Sequence, residues 1–447
     1  MHWVPLALIG AAFCTNAVAA EFSIPFTKEK LPNGLTLIFH EDHALPVVVV
    51  ELSYKVGSRY EEPKRTGFAH LFEHLMFMGT RRVPTGAFDG MMEAEGGHNN
   101  AWTSEDRTAY WNEGPGHLLP LFLWLEADRL RDIGPLMTLE KLNTQRDVVK
   151  NERRQRSENT PYGIVHLKLP ELLYPVKHPY HHPVIGSHED LEAASVDNVK
   201  AFFAKYYVPS NASLVIAGDF SPKQAKETIE KWFASMPAVP VPVDPGAPDF
   251  TDTKTSLERE VRDTVTDNVQ FPKVVFGWQT PKHLSPEDAH LDLLSNVLAG
   301  GKASRLYKRL VEGKQLAQEV SANQSSGFLG SQFSIDVLAK PGVSLEAIET
   351  EVGLELQELA KNGPTKAELT RSRNLILSGF VSGLQTVRAR ASLLNAYESE
   401  KGDPGFLKHD VARYESATPH DLQRAVATYL GDKRVVLRVM PKQGGAK

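Results

Sequence analysis

The sequence predicts an α+β protein built of two duplicated α/β domains, each a mainly antiparallel sheet flanked by helices. Three observations carry that reading. At 447 residues the chain is longer than one hydrophobic core normally serves. A proline-rich stretch, MPAVPVPVDPGAPDF at 236–250, divides it into two halves of similar length and reads as a semi-rigid linker. Both halves close on the same order of elements. Residues 195–218, SVDNVKAFFAKYYVPSNASLVIAG, give a capped helix, a tyrosine, a turn and a strand, and 418–440, TPHDLQRAVATYLGDKRVVLRVM, repeat it. The spacing from Val199 to Tyr206 recurs from Leu422 to Tyr429.

The elements follow in chain order. Residues 1–20 contain no Lys, Arg, Asp or Glu, and their apolar run gives way to small residues ending Ala19-Ala20. This is the layout of a signal peptide cleaved near Ala19/Ala20, and it predicts export to the periplasm. The run is too short to span a bilayer, and no later stretch is apolar enough to cross one. The single cysteine, Cys14, lies inside it. A chain starting at residue 21 has no thiol ligands, so any metal site must use His, Asp or Glu. Next, LTLIFH and PVVVVELSYKV read as strands, and the segment after Thr66 as a helix. Residues 139–159, LEKLNTQRDVVKNERRQRSEN, read as a strongly charged helix. Beyond the linker, taken as 236–262, VVFGWQT reads as a strand and PEDAHLDLLSNVLA as a helix. The domains predicted are therefore 21–235 and 263–447. A net charge of −5 leaves no basic footprint, which argues against nucleic acid as a partner.

The chemistry concentrates at HLFEH, residues 70–74. On a helix His70 and His74 are one turn apart on one face. Both imidazoles can then reach one Zn²⁺ at about 2.0–2.1 Å. Glu73 lies beside them, placed to act as general base on a zinc-bound water. The alternative is a pair of core histidines among Leu71, Phe72, Leu75 and Phe77, hydrogen-bonded to backbone. Burying three ionisable groups on an apolar helix is costly without a purpose. Catalytic zinc takes three protein ligands. Glu140, Glu152 and Glu158 on the charged helix are all candidates for the third, and spacing selects none of them.

The surrounding residues extend the pattern. The order HxxEH marks the inverzincins. GFAHLFEHLMFMGT, EAEGGHNNAWTSEDRTAYW (93–111), QRDVVKNE (145–152), HPYHHPVIG with YYVPSNASLVIAGD, and GGKASRLYKRLVEGKQLAQEV (300–320) together resemble the pitrilysin, insulin-degrading and mitochondrial-processing peptidases, in their bacterial two-domain form. The resemblance covers nearly the whole chain after residue 20. It implies that two such domains form half of a clamshell, and that His70, His74 and Glu152 bind one Zn²⁺ per chain with Glu73 as base. It implies that Asn100, Ala101, Trp102 and Thr103 form an edge strand that pairs with an extended peptide. His98, beside that strand, is a further candidate for substrate contact. His178, His181, His182 and His188 fall in a loop that carries no metal in the family.

Two departures stand out. Gln145 replaces a glutamate that often supports the metal site, and its amide can hydrogen-bond a ligand without adding charge. Val311 and Gln318 stand where active members have an Arg and a Tyr that stabilise the oxyanion; Val311 has no donor at all. Arg390 and Tyr397 share that spacing but read as surface-helix residues. The expected protein is thus a zinc endopeptidase for extended or unfolded peptides, completed by a second two-domain subunit that supplies the Arg/Tyr pair in a heterodimer. The alternatives are a non-catalytic assembly subunit and a processing peptidase with a defined cleavage site.

Overall fold

Eleven strands among the described residues form two sheets of matching topology. The structure is a computed structural model that describes residues 23–244 and 256–442. Residues 1–20, read above as a signal peptide, and residues 245–255 of the linker lie outside the described residues. The first sheet contains β1 (Thr27–Lys30), β2 (Thr36–Glu41), β3 (Val47–Tyr54), β4 (His98–Thr103), β5 (Thr108–Pro115) and β6 (Ala212–Gly218), in the order β1-β2-β6-β3-β5-β4. The second contains β7 (Val261–Asp267), β8 (Lys273–Thr280), β9 (Ala317–Ser325), β10 (Ser331–Ala339) and β11 (Val435–Pro441), in the order β7-β11-β8-β10-β9. With β1 set aside the sheets match strand for strand. Each has one parallel pair, β2 with β6 and β7 with β11, and is otherwise antiparallel. The duplication read from the two chain endings therefore extends to the whole sheet. β4 and β9 are the corresponding edge strands.

Strand β3 reads VVVVELSY and is buried on both faces, because helices cover both sides of the first sheet. The covering is exchanged between halves. Helix Val387–Lys401, from the second half, lies across the back of β3 and β6 and seals Ile38, Val49, Val215 and Ala217 under Val387, Ala391 and Leu394. Helix Ile164–Leu173, from the first half, packs Leu169 and Leu173 on Val275, Val435 and Leu437 of the second sheet. A polar seam runs through the first contact. Glu51 on β3 is fully buried and accepts hydrogen bonds from Asn395 Nδ2, at 3.1 Å, and from Ser392.

Arg390 and Tyr397 are consequently not surface-helix residues. Tyr397 is 2% exposed and donates to Asp410 Oδ2 at 2.6 Å, while Arg390 pairs with Asp42. The helix VRARASLLNAYESEK carries little amphipathic pattern, since small residues and Arg alternate along it. It buries more than its composition suggests because it is a layer between the first sheet and the helices of the second half.

The hairpin tips of the two sheets also meet. Asp106, in the β4–β5 turn, accepts from Phe328 N at 3.1 Å in the β9–β10 turn, and from Tyr180 Oη at 2.7 Å. Arg59 Nε lies 3.3 Å from the same carboxylate. No helix among the described residues is long and apolar enough to cross a membrane.

Candidate active site

Helix Phe68–Leu75 carries HLFEH and is anchored at its start. The Glu61 carboxylate accepts from Gly67 N at 2.9 Å and Ala69 N at 2.7 Å. It satisfies two donors that the first turn leaves without partners. Gly67, at φ 85°, lies against Gly186 so closely that a Cβ on Gly186 would fall 2.3 Å from Gly67 Cα. Any larger residue would push the loop ahead of helix His188–Ala193 off the metal helix.

Helix Leu139–Arg153 lies against it and brings Glu152 in on its last turn. Thr138 caps this helix by accepting from Lys141 N. The buried Arg146 clamps it, donating to the carbonyls of Leu191 at 2.8 Å and Ala194 at 2.6 Å. The α-helix ends at Arg153 and continues as a π-helical turn, Arg154–Glu158, so the charged segment is not one regular helix.

His70, His74 and Glu152 are the one group of three potential ligands that converges among the described residues, with ligand atoms all within 4.8 Å of one another. Glu152 Oε2 lies 3.2 Å from His74 Nε2 and 3.7 Å from His70 Nε2. The rings of His70 and His74 are 4.9 Å apart and nearly perpendicular. The structure thereby selects Glu152 from the three candidates. Glu140 is exposed at the far end of its helix, and Glu158 pairs with Arg153 and His188.

His70 decides how well the set suits a metal. It is 8% exposed, its Nδ1 has no partner, and its Nε2 is beyond hydrogen-bond reach of Glu152. A buried imidazole with neither nitrogen engaged is unfavourable by itself. A cation at Nε2 removes that cost. Burial pushes the His70 pKa down to about 4, so the ring is neutral near pH 7, the form that ligates a metal. The hydrogen bond with His74 holds Glu152 below the usual carboxylate range. Two imidazoles and one carboxylate leave a fourth tetrahedral position free, as catalytic zinc sites do.

Glu73 is held apart from this trio. Thr103 Oγ1 on β4 donates to its Oε2 at 2.6 Å. Burial raises the Glu73 pKa, and the Thr103 bond partly opposes that rise.

The register of β4 assigns its main-chain groups. Ser104 N donates to Arg107 O at 2.9 Å, and β4 pairs with β5 from Thr103 opposite Thr108 to His98 opposite Glu113. Antiparallel alternation then turns the N–H and C=O of Asn100 and Trp102 toward β5, and those of Asn99, Ala101 and Thr103 outward. The bond from Ala101 N to the Asn100 side-chain oxygen, 2.8 Å, agrees: that donor faces the open edge. Within the stretch expected to pair with peptide, Ala101 and Thr103 therefore carry the free main-chain groups. His98 is exposed on this strand and lies 3.4 Å from Glu113.

Other expectations resolve as follows. Gln145 Nε2 lies 2.8 Å from the Met78 sulfur, so its polar contact is with a core methionine and not with His70 or His74. Gln318 donates to Ala339 O at 2.7 Å, and Val311 packs on the second core. His178 accepts from Tyr180 N, and His181 lies 2.7 Å from Tyr174 O. Both serve the loop. Glu61 was missed in the sequence because its partner donors are backbone. Also missed was buried Arg129, which binds Glu126 at 2.9 Å and lies 4.4 Å over Tyr110. Its signal was an Arg and a Glu three apart within the apolar run LFLWLEADRL.

The family profile described as Insulinase (Peptidase family M16) matches residues 37–181, and that described as Peptidase M16 inactive domain matches 193–376. The chain belongs to peptidase family M16. All three potential metal ligands fall in the first of these M16 segments. Zinc protease PqqE of Helicobacter pylori is 29% identical over 408 residues, which are 90% of this chain and 89% of the relative. The crystal structure of a protease from Helicobacter pylori superposes with a TM-score of 0.85 at 28% identity, covering 94% of this chain and all of that one. The periplasmic protease PqqL of Escherichia coli superposes with a TM-score of 0.75 at 17% identity. It matches 94% of this chain but only 48% of its own length.

Proposed function

We propose that this M16 chain is a zinc-dependent endopeptidase for extended or unfolded peptides. The observation that carries the reading is the convergence of His70, His74 and Glu152, with Glu73 tied to the edge strand by Thr103. Names of relatives as zinc proteases support it. Bound zinc would polarise the scissile carbonyl and acidify the attacking water. Ala101 and Thr103 hold the peptide backbone as an added strand, giving affinity with little demand on sequence. Glu73 takes the proton from the attacking water and returns it to the leaving amine.

In this reading, oxyanion stabilisation is not supplied by the described residues at the two positions where the resemblance places it. Gln318 is spent on a backbone carbonyl and Val311 has no donor. The reading therefore includes a second two-domain subunit that supplies an Arg/Tyr pair, in a heterodimer. The length relation to PqqL, about twice the matched part, supports it. The signal-like segment 1–20 supports a periplasmic setting. A non-catalytic subunit would keep the fold without needing the converged ligands.

The test is metal analysis with hydrolysis of unstructured peptides, by the chain alone and with an M16 partner subunit, for wild type and Glu73→Gln. Zinc bound at one per chain, with hydrolysis lost in Glu73→Gln, supports the reading. Zinc bound without hydrolysis under any pairing overturns it. Equal activity of the chain alone and the pair removes the second subunit.

A further inference from the structure

One arginine near the edge strand makes no direct ion pair among the described residues. Arg107 ends the β4–β5 turn, and its guanidinium lies 4.5 Å over the ring of Trp102. Its Nη1 is shielded from solvent and has no hydrogen-bond partner, and among the described residues no carboxylate lies within ion-pair distance. Glu51, Glu400 and Asp106 act on it electrostatically from beyond contact, and each is bonded to other groups. Glu51 accepts from Ser392 and Asn395, Glu400 pairs with His283 at 2.6 Å, and Asp106 takes the Tyr180 hydroxyl and Arg59. Its guanidinium therefore has counter-charge at a distance but no direct anionic contact, which a bound carboxylate would supply.

Period-two alternation places the site. Thr103 faces Glu73, so Trp102 and Asn100 face the opposite side of the sheet. Arg107 shares that side, since Trp102 is opposite Ala109, two residues on from Arg107. Helix Val387–Lys401 covers β3 and β6 and leaves this face of β4 partly open, with Asn100 exposed and Trp102 half-exposed. A peptide added along β4 would put every second side chain on this side. The side chain next to the one facing Glu73 would lie beside Trp102 and Arg107.

We propose that Arg107, stacked on Trp102, forms a subsite for a carboxylate of the peptide, next to the position cleaved. The carboxylate belongs to an Asp or Glu side chain, or to a free C-terminus. The edge that carries Nε and Nη2, away from the shielded Nη1, would present the paired N–H donors that suit a planar anion. This inference rests on the peptidase reading above.

The test uses zinc-loaded full-length chain, with the partner subunit where activity needs it. The substrates are acetylated, amidated peptides that differ only in Asp, Asn or Lys at one position, scanned along the chain, and one series with a free C-terminus. At one register kcat/KM for Asp should exceed that for Asn roughly 10- to 100-fold, mainly through KM. Arg107→Met should bring the ratio to about one, and Arg107→Glu should reverse it toward Lys. Trp102→Leu, which keeps the charge, should also lower it. A gain confined to free C-termini identifies the chain end as the source of the carboxylate. Hydrolysis of neutral peptides with no acid preference overturns the subsite and leaves the peptidase reading standing. An equal loss for every peptide in Arg107→Met also overturns it and makes Arg107 a counter-ion of buried Glu51. If wild type hydrolyses nothing, the peptidase reading fails. Binding of the same peptides to Glu73→Gln then decides the subsite separately, equal affinity for Asp and Asn peptides overturning it.

Discussion

Thr103 Oγ1 donates to Glu73 Oε2 at 2.6 Å, so the strand that would receive the peptide also holds the proposed base. A peptide pairing with Ala101 and Thr103 would be positioned by the element that orients Glu73. Thr103→Val removes the bond and keeps the shape. Hydrolysis should fall about 10- to 100-fold while zinc content is unchanged. The bond favours the charged carboxylate, so its loss raises the Glu73 pKa further above its usual value. The acid limb of the pH–rate profile should move to higher pH, and Thr103→Ser should restore it. An unmoved limb in Thr103→Val would mean that another group sets it.

The two oxygens of Glu152 should respond differently to mutation of their partners. Oε2 points at His70 and His74, and Oε1 pairs with exposed Arg156 at 2.7 Å. His70→Ala, His74→Ala or Glu152→Ala should abolish stoichiometric zinc, measured by elemental analysis. Arg156→Ala should weaken zinc less than about fivefold, because an exposed i,i+4 pair contributes about 1 kcal/mol or less. Chelation should lower the melting temperature of wild type and leave that of Glu152→Ala unmoved.

How much of this was legible depended on how local each feature is. His70, Glu73 and His74 lie within one helical turn, so the pattern alone raised the site. Glu152 arrives from another helix, and only the wider resemblance chose it over Glu140 and Glu158. The strands around LTLIFH and VVFGWQT were legible from apolar runs bounded by turns. The exchanged helices were not, because an interface helix such as Val387–Lys401 shows neither a clean apolar stripe nor a polar one. Gln145 was assigned to the metal site from position, while its amide turns to Met78. Glu61 and Arg107 could not be read at all, since what matters is a backbone donor in one case and a missing partner in the other.

Asp292 should make stability fall as pH rises. It is partly buried on helix Pro286–Ala299 and accepts from Tyr414 Oη at 2.7 Å, and desolvation with the charge of Asp288 pushes its pKa up to about 7. Between pH 4 and 7 the folded chain keeps this proton and the unfolded chain releases it. That contribution is full below the unfolded pKa and gone above about 7. Asp292→Asn accepts the same hydrogen bond without titrating. Its stability advantage over wild type should grow by about 2 to 4 kcal/mol from pH 4 to pH 8 in denaturant titrations. A constant difference would show that the Asp292 carboxyl titrates normally.

The exchange of helices predicts that the first half will not fold well alone. Without residues 387–401 the back of the first sheet exposes Ile38, Val49, Val215 and Ala217, all fully buried in the whole chain. The three larger side chains would each lose about 1.5 to 3 kcal/mol of burial, and the sum is comparable to the whole stability of a domain. Glu51 would also lose Ser392 and Asn395. A fragment of residues 21–235 should aggregate or show lost near-UV dichroism, although it holds every proposed zinc ligand. Co-expression with 263–447 should restore a soluble, zinc-binding complex. A monomeric, cooperatively melting 21–235 fragment would show that the first sheet does not need the second half's helix.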